Sequence, residues 1–324
     1  MAKYNFGSGI PTWNGLPMLG GDDSTSYGTH YFVDGTNGKD GNKGTDLNRA
    51  FKTIQKAITT QAANSTGLGD VIHVMPGVYA ESLTGDLTKV SLIAAGGRYG
   101  NGPNAVVVYP ATGHCYEGST NGCSIENFTF VSPSTDTTAS ALQFTNMRWT
   151  TFNNNAVIGS NAACIEGIQV GNNDGVATAA VCDYNRISNN YIGTVFGTSS
   201  SFTFGFKIGM VDYDAGCSVK SCHSTIIENN TIFASTTGIY LGVYGGKANG
   251  TVIRNNYITS WEGGADEGCS TYAIGAYTAS NAMVCDNYCA TAAAAAAING
   301  FQAGHVIGNQ TSQDGVTKIE TATS

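Results

Sequence analysis

The chain has 324 residues, a formal net charge of −8 at pH 7, and only 12% charged residues against 41% hydrophobic ones. That apolar fraction excludes a disordered chain, and with no Lys/Arg cluster there is no electrostatic footprint of a nucleic-acid binder. No apolar run approaches the roughly 20 residues that cross a bilayer, and 43 glycines among many Asn, Ser and Thr point to short strands and turns.

Residues 1–29 scatter Tyr4, Phe6, Ile10, Trp13, Leu16, Met18 and Leu19 among Gly and Pro without a helical or strand period. They read as an extended arm that docks on another surface, with Phe6, Trp13, Leu16 and Met18 as its contact residues. The first residues lack the apolar stretch of a secretory signal, so synthesis and folding in a cytoplasm are expected.

Residues 30–69 read as a strand, a loop and a helix. HYFV, from His30, is a short strand followed by a Gly/Asn/Asp loop. LNRAFKTIQKAITTQAAN then places Ala50, Phe51, Ile54, Ala57, Ile58 and Gln61 on one helical face. Asp46 or Thr45 is positioned to cap its start, and Gly67 lies beyond its end. The loop carries Asp34, Asn37, Asp40, Asn42 and Asp46. Turn chemistry is the expected use of these residues. Their oxygens also make Asp34, Asn37 and Asp40 candidate Ca²⁺ ligands, although the loop lacks the closing Glu of an EF-hand. No other cofactor is expected.

From residue 70 to 310, short β-type runs alternate with turns, and one motif recurs: an aliphatic residue, a variable one, Asn or Asp, Asn, a variable one, then Ile or Val. Asn190, Asn230, Asn256, Asn287 and Asn309 mark it at intervals of 40, 26, 31 and 22 residues. The shortest interval suits one coil of a parallel β-helix, and the longer ones suit a coil with inserted loops. Coils stack about 4.8 Å apart, so equivalent residues fall into columns. A column of Asn can bond up the stack, and Asn tolerates the left-handed backbone of a tight corner. The Asn residues are therefore read as an architectural ladder. The amphipathic helix is placed to cover one open end of the stack. ATAAAAAAI, Ala290 to Ile298, reads as a narrow coil in preference to a short helix, and residues 311–324 as a short, weakly capping tail.

The nine cysteines are an odd number and read mostly as small buried thiols. Cys217 and Cys222, with His223 adjacent, are the candidates for a local disulfide or metal site, though their spacing fits no zinc pattern.

The segment from His30 to Leu83, with YFVDGTNGKDGN, then AFKTIQKAI, then GDVIHVMPGVYAESL, resembles the N-terminal module of right-handed β-helix proteins of the pectate-lyase-like superfamily. The resemblance implies an all-β, single-stranded, right-handed parallel β-helix, capped at its N-terminal end by one amphipathic helix and preceded by an arm. That superfamily is functionally mixed, spanning polysaccharide lyases and hydrolases, adhesins, and phage tailspikes and other virion proteins. One β-helix behind an irregular arm most resembles a bacteriophage virion fibre, spike or decoration protein. This implies a homotrimer, attachment to other virion proteins through the arm, and possible contact with a host-surface glycan. A polysaccharide-degrading tailspike or lyase is the alternative, and a bacterial surface adhesin at the cell exterior a second.

Lyases of this kind hold Ca²⁺ with carboxylates and use Lys or Arg as base, whereas glycosidases use paired carboxylates. The acidic clusters to compare are Asp212 with Asp214, and Glu262 with Asp266 and Glu267. Asp212, Asp214, Asp266 and Glu267 are weak catalytic candidates; Trp261 and Glu262 are glycan-contact candidates. Glu166, Asp183 and Glu228 sit near coil positions, where Lys207 and Arg254 could supply positive charge. No catalytic motif of the superfamily carries over residue by residue.

Overall fold

The computed structural model describes residues 28–320 apart from 66–68, 97–104, 134–139, 161–164, 172–179, 195–201, 210–220, 244–247, 260–268, 292–296, 303 and 314–315, and three two-residue strands before residue 28. Its body is a parallel β-helix. One ten-stranded sheet runs from His30–Val33 to Val306–Ile307, and a nineteen-stranded sheet bends around the other two faces. Every pairing between successive coils is parallel; the exception is the end, where Val316–Glu320 lies antiparallel to Asn309–Gln313.

The alternation of side chains along each strand puts one apolar stack on each face. On the first, Phe152, Ile187, Ile227, Ile253 and Val284 follow one another in register. On the second, Ile192, Ile232, Ile258 and Cys289 do so. On the third, the row is Ile168, Phe206, Ile239, Ile274 and Ile298. All but the partly buried Ile298 belong to one continuous core.

The corner between the first and second faces explains the Asn motif. Asn127, Asn154, Asn189, Asn229, Asn255 and Asp286 all have φ between +54° and +68°, the left-handed region that Asn and Asp enter more readily than most residues. The residue after each turns inward. Phe128 follows Asn127, and Asn155, Asn190, Asn230, Asn256 and Asn287 follow the others; these, and Asn309 after Gly308 (φ +68°), are all buried. From Asn155 to Asn287, each backbone N–H donates to Oδ1 of the next Asn in the stack, at 2.9–3.0 Å. From Asn190 to Asn309, each Nδ2 also donates to a carbonyl of the preceding coil, those of Phe152, Ile187, Ile227, Ile253 and Val284, at 3.0 Å. The ladder thus satisfies buried backbone groups at a corner where sheet pairing is interrupted. It begins one rung earlier than the sequence reading placed it, at Asn155, whose Oδ1 accepts from Phe128 N–H at 2.9 Å.

The helix spans Ile54–Asn64 and buries Ile54, Ala57, Ile58 and Gln61. It starts later than the apolar spacing predicts. Asp46 caps a 3₁₀ turn at Leu47–Arg49, and Phe51 then exchanges backbone bonds with the first strand, its N–H to Phe32 O and its O to Asp34 N–H. Strand bridging wins over helix at Ala50 and Phe51. Thr53 supplies the N-cap, and the Glu81 carboxylate accepts from Ile54 N–H and Gln55 N–H at 3.0 and 2.9 Å, taking two donors that a helix start leaves open. The helix packs on the strands at 30–33, 70–74, 83–84 and 87–88, which lie at the start of the stack.

Before the body, Tyr4–Asn5 pairs with Thr12–Trp13, and Thr12–Trp13 with Leu16–Pro17, both antiparallel. The arm therefore folds back on itself locally, which the sequence reading did not expect. Residues 292–296 of the alanine-rich stretch lie outside the described residues.

Candidate functional site

The third face carries a buried polar cluster. Two successive residues of its strands turn inward: Gly167 with Ile168, and Gly205 with Phe206. A Cβ on Gly167 would meet Ile192 and Phe202, and one on Gly205 would meet Ile232 and Ala234. Glu166 and Lys207 consequently point away from the core, yet both are buried. Lys207 Nζ donates to Glu166 Oε1 at 2.9 Å and lies 5.0 Å from the Phe204 ring centre, within cation–π range. Gln143, Gln169, Lys207 and Tyr240 form one in-register row beside it. Ser140 Oγ is 3.0 Å from Glu166 Oε2 and 2.7 Å from Gln169 Oε1. Among the described residues, Gln169 Nε2 is buried without a hydrogen-bond partner. Together they make a buried charge pair in a polar cluster, and a ligand reaches it only where the covering chain opens. For proton transfer, the ammonium would first have to leave Glu166.

The structure joins residues that the sequence marked only singly. Glu166 and Lys207 are partners, and so are Glu228 and Arg254. Glu228 Oε2 accepts from Arg254 Nη2 at 2.7 Å, and Oε1 from Arg186 Nη2 at 2.6 Å. Burial works to raise the Glu228 carboxyl, but the hydrogen bonds and charges of Arg254 and Arg186 prevail and hold it below the usual carboxylate range. Asp183 accepts from Ser221 Oγ and His223 N–H, both at 2.8 Å.

The Asp34 loop is built by turn chemistry. Asp34 Oδ1 accepts from Thr36 N–H and Asn37 N–H, and Oδ2 from Asn37 Nδ2; the Asn37 N–H in particular lowers its pKa. Asp40 accepts from Lys52 N–H, Thr53 N–H and Thr53 Oγ1. Among the described residues, no three His, Cys, Asp or Glu side chains gather as metal ligands do. Asp212, Asp214, Trp261, Glu262, Asp266, Glu267, Cys217, Phe6 and Met18 lie outside the described residues. Cys222 is described, and is buried and free.

Sequence reasoning missed an aromatic row on the second face. Tyr191, Phe233, Tyr257 and Tyr288 alternate with the inward Ile192, Ile232, Ile258 and Cys289, so they face outward. Their ring centres follow at 5.7, 6.4 and 4.9 Å, the last pair stacked within 5° of parallel. The signal was present, since Tyr191, Tyr257 and Tyr288 each follow a ladder Asn directly.

No protein-family model and no curated protein matches the chain. Among solved structures it is similar to a rhamnogalacturonan lyase, at 14% identity over 88% of this chain and 67% of that one, with a TM-score of 0.42. It is similar also to XylC in complex with xylose, at 12% identity over 88% and 71%, TM-score 0.41. The alginate lyase of Paenibacillus sp. str. FPU-7 follows at 16% identity over 76% and 95%, TM-score 0.37. The chain's own strands, parallel in register from coil to coil, make it an all-β parallel β-helix.

Proposed function

We propose that this chain is a rigid β-helical body that engages polysaccharide along its outer surface, as a structural spike, fibre or decoration protein of a bacteriophage virion. The observation that carries the reading is the outward row Tyr191, Phe233, Tyr257, Tyr288. Aromatic rings repeated at near-coil spacing on an inflexible rod suit an extended ligand that repeats its own units and buries a flat apolar face on each ring. In this reading the arm, with Trp13 and Leu16, attaches the body to other virion proteins, and the assembly is a homotrimer. The virion setting rests on the arrangement of one β-helix behind an N-terminal arm, which resembles that of bacteriophage virion proteins.

A second reading, cleavage of the bound polysaccharide, is favoured by the Lys207–Glu166 pair on the neighbouring face. The test uses the full chain and surface polysaccharide purified from candidate host bacteria. Binding that weakens in Tyr257→Ala and Tyr288→Ala, with no release of new chain ends, supports the adhesive reading. Chain scission by the parent, lost in the folded double variant Glu166→Gln with Lys207→Met, supports the second. Binding unchanged in both tyrosine variants sinks the proposal.

A further inference from the structure

The corner between the third and first faces holds a column of left-handed residues. Backbone N–H groups of Lys89, Gly122, Trp149, Tyr184 and Ser224 bond in turn to Asn121, Arg148, Asp183, His223 and Asn249, which fixes their order up the stack. All five have positive φ, from +49° to +66°. The Asn-ladder corner fills its equivalent positions almost wholly with Asn. Here two large aromatics take the strained conformation, which a bulky side chain rarely adopts. Their rings are not held there by the core: Trp149 is 59% exposed and Tyr184 46%. They stack on each other at 4.2 Å between centres, within 6° of parallel.

That stack covers one face of the indole with the Tyr184 ring. On the opposite side, the next position in the column is Gly122, which has no side chain. A Cβ there would meet only Lys89 Cγ, at 3.7 Å. Trp149 and Lys89 therefore flank an open notch two coil steps wide, about 9–10 Å between their backbones. Arg148 precedes Trp149, is exposed, and pairs in register with the exposed Asn121 beside Gly122. Among the described residues, neither Lys89 nor Arg148 has an ion-pair partner. Two such cations beside one bare aromatic face are conspicuous in a chain with a net charge of −8.

We propose that this notch binds one acidic saccharide unit, with the sugar's C–H face packed on Trp149 over Gly122 and its carboxylate or sulfate held by Lys89 and Arg148. Tyr184 backs the indole and fixes its plane. The aromatic supplies apolar burial. The guanidinium supplies directional bonds to an oxyanion, so acid recognition and ring stacking are separable. The inference rests on the reading of the body as polysaccharide-engaging but uses a different corner and different residues, so the two can fail independently.

The test titrates the full chain with hexamers of hyaluronan, alginate and polygalacturonate, each beside its carboxyl-reduced twin, by calorimetry. At least one acidic hexamer should bind about tenfold or more tightly than its twin, with affinity falling as salt rises. Trp149→Gly should abolish that binding. It suits the positive φ better than Trp, so the variant should melt no lower than the parent, and misfolding cannot account for a loss. Lys89→Gln with Arg148→Gln should erase the preference for the acid over its twin and keep weak binding of both. If no acidic hexamer is preferred, or if Trp149→Gly binds like the parent, the notch is not an acidic-saccharide site.

Discussion

Asn190 and Asn230 lie 40 residues apart in sequence and meet through two hydrogen bonds, Asn190 N–H and Asn190 Nδ2 both donating to Asn230 Oδ1 at 3.0 and 2.9 Å. Asn230 in turn donates from Nδ2 to Ile187 O at 3.0 Å. Replacing it with Leu leaves a buried N–H and a buried carbonyl without these partners. Each such group costs about 1–3 kcal/mol, so Asn230→Leu should destabilise by roughly 2–6 kcal/mol. Urea unfolding should show a lower midpoint at an unchanged slope. Asn229→Gly, one residue earlier at φ +55°, should differ from the parent by less than about 1 kcal/mol, because Gly adopts that backbone freely. Equal midpoints for Asn230→Leu and the parent would refute the ladder's structural role.

Acid should attack the first face through Glu228. Its carboxyl titrates below the usual range in the fold because Arg254 and Arg186 outweigh its burial. A carboxyl lowered by folding adds stability that is fully present above its unfolded pKa and is lost as pH falls through the folded one. Stability should thus decline from about pH 4.5 downward. In Glu228→Gln the decline should be shallower, and the plateau near neutral pH should drop by about 1–3 kcal/mol for the lost charged hydrogen bonds. Denaturant midpoints across pH 3–7 measure both; parallel curves for the two proteins would count against the assignment.

The ladder and the body's fold were legible because both rest on a short periodic motif, and a period survives without knowledge of tertiary contacts. The second polar ladder was less so. Asn185 Oδ1 accepts from Thr150 N–H, Thr225 Oγ1 lies 3.4 Å from Asn185 N, and Thr251 Oγ1 lies 3.3 Å from Thr225 N. Here the inward residue alternates between Asn and Thr and its left-handed predecessor between Trp, Tyr, Ser and Gly, so no single letter repeats. Only the pattern of a polar residue two before a core aliphatic or aromatic marks it. The Glu166–Lys207 pair was illegible for another reason: 41 residues separate the partners, and the inward turn of two successive residues between Glu166 and Gln169, and between Phe204 and Lys207, breaks the simple alternation that would tell which way each points. The helix start was misplaced because Phe51 fits an apolar helical face and a strand bridge equally well.

The Lys207–Glu166 pair should be costly to break and cheap to remove. Lys207→Met alone leaves a buried carboxylate without its cation, and should destabilise by about 3–5 kcal/mol. Glu166→Gln together with Lys207→Met removes both charges, and should recover most of that loss. A double-mutant cycle by chemical denaturation measures the coupling. Purely additive effects would mean that the pair contributes no interaction of its own.

The two successive inward positions on the third face depend on small residues. Gly167, Gly205 and Gly238 stack in register, and Ala273 takes the next place. A Cβ on Gly238 would come within 2.1 Å of Ile258 Cγ2 and 2.7 Å of Ala273 O. Both are closer than packed atoms tolerate, so Gly238→Ala should destabilise by about 1–3 kcal/mol through overpacking. The chain already contains the compensated version. One coil further on, where the small residue is Ala273, the register places Cys289 where Ile258 stood, and Cys has no γ2 branch. Introducing Gly238→Ala into an Ile258→Cys background should therefore cost at most about half of what it costs in the parent, while Ile258→Cys alone pays for its lost methyl groups at about 1 kcal/mol or more. Thermal and urea unfolding of the four proteins in this cycle read the coupling directly. An undiminished penalty in the Cys background would place the strain on the Ala273 carbonyl, and the side chain of Ile258 would then have no part in requiring glycine.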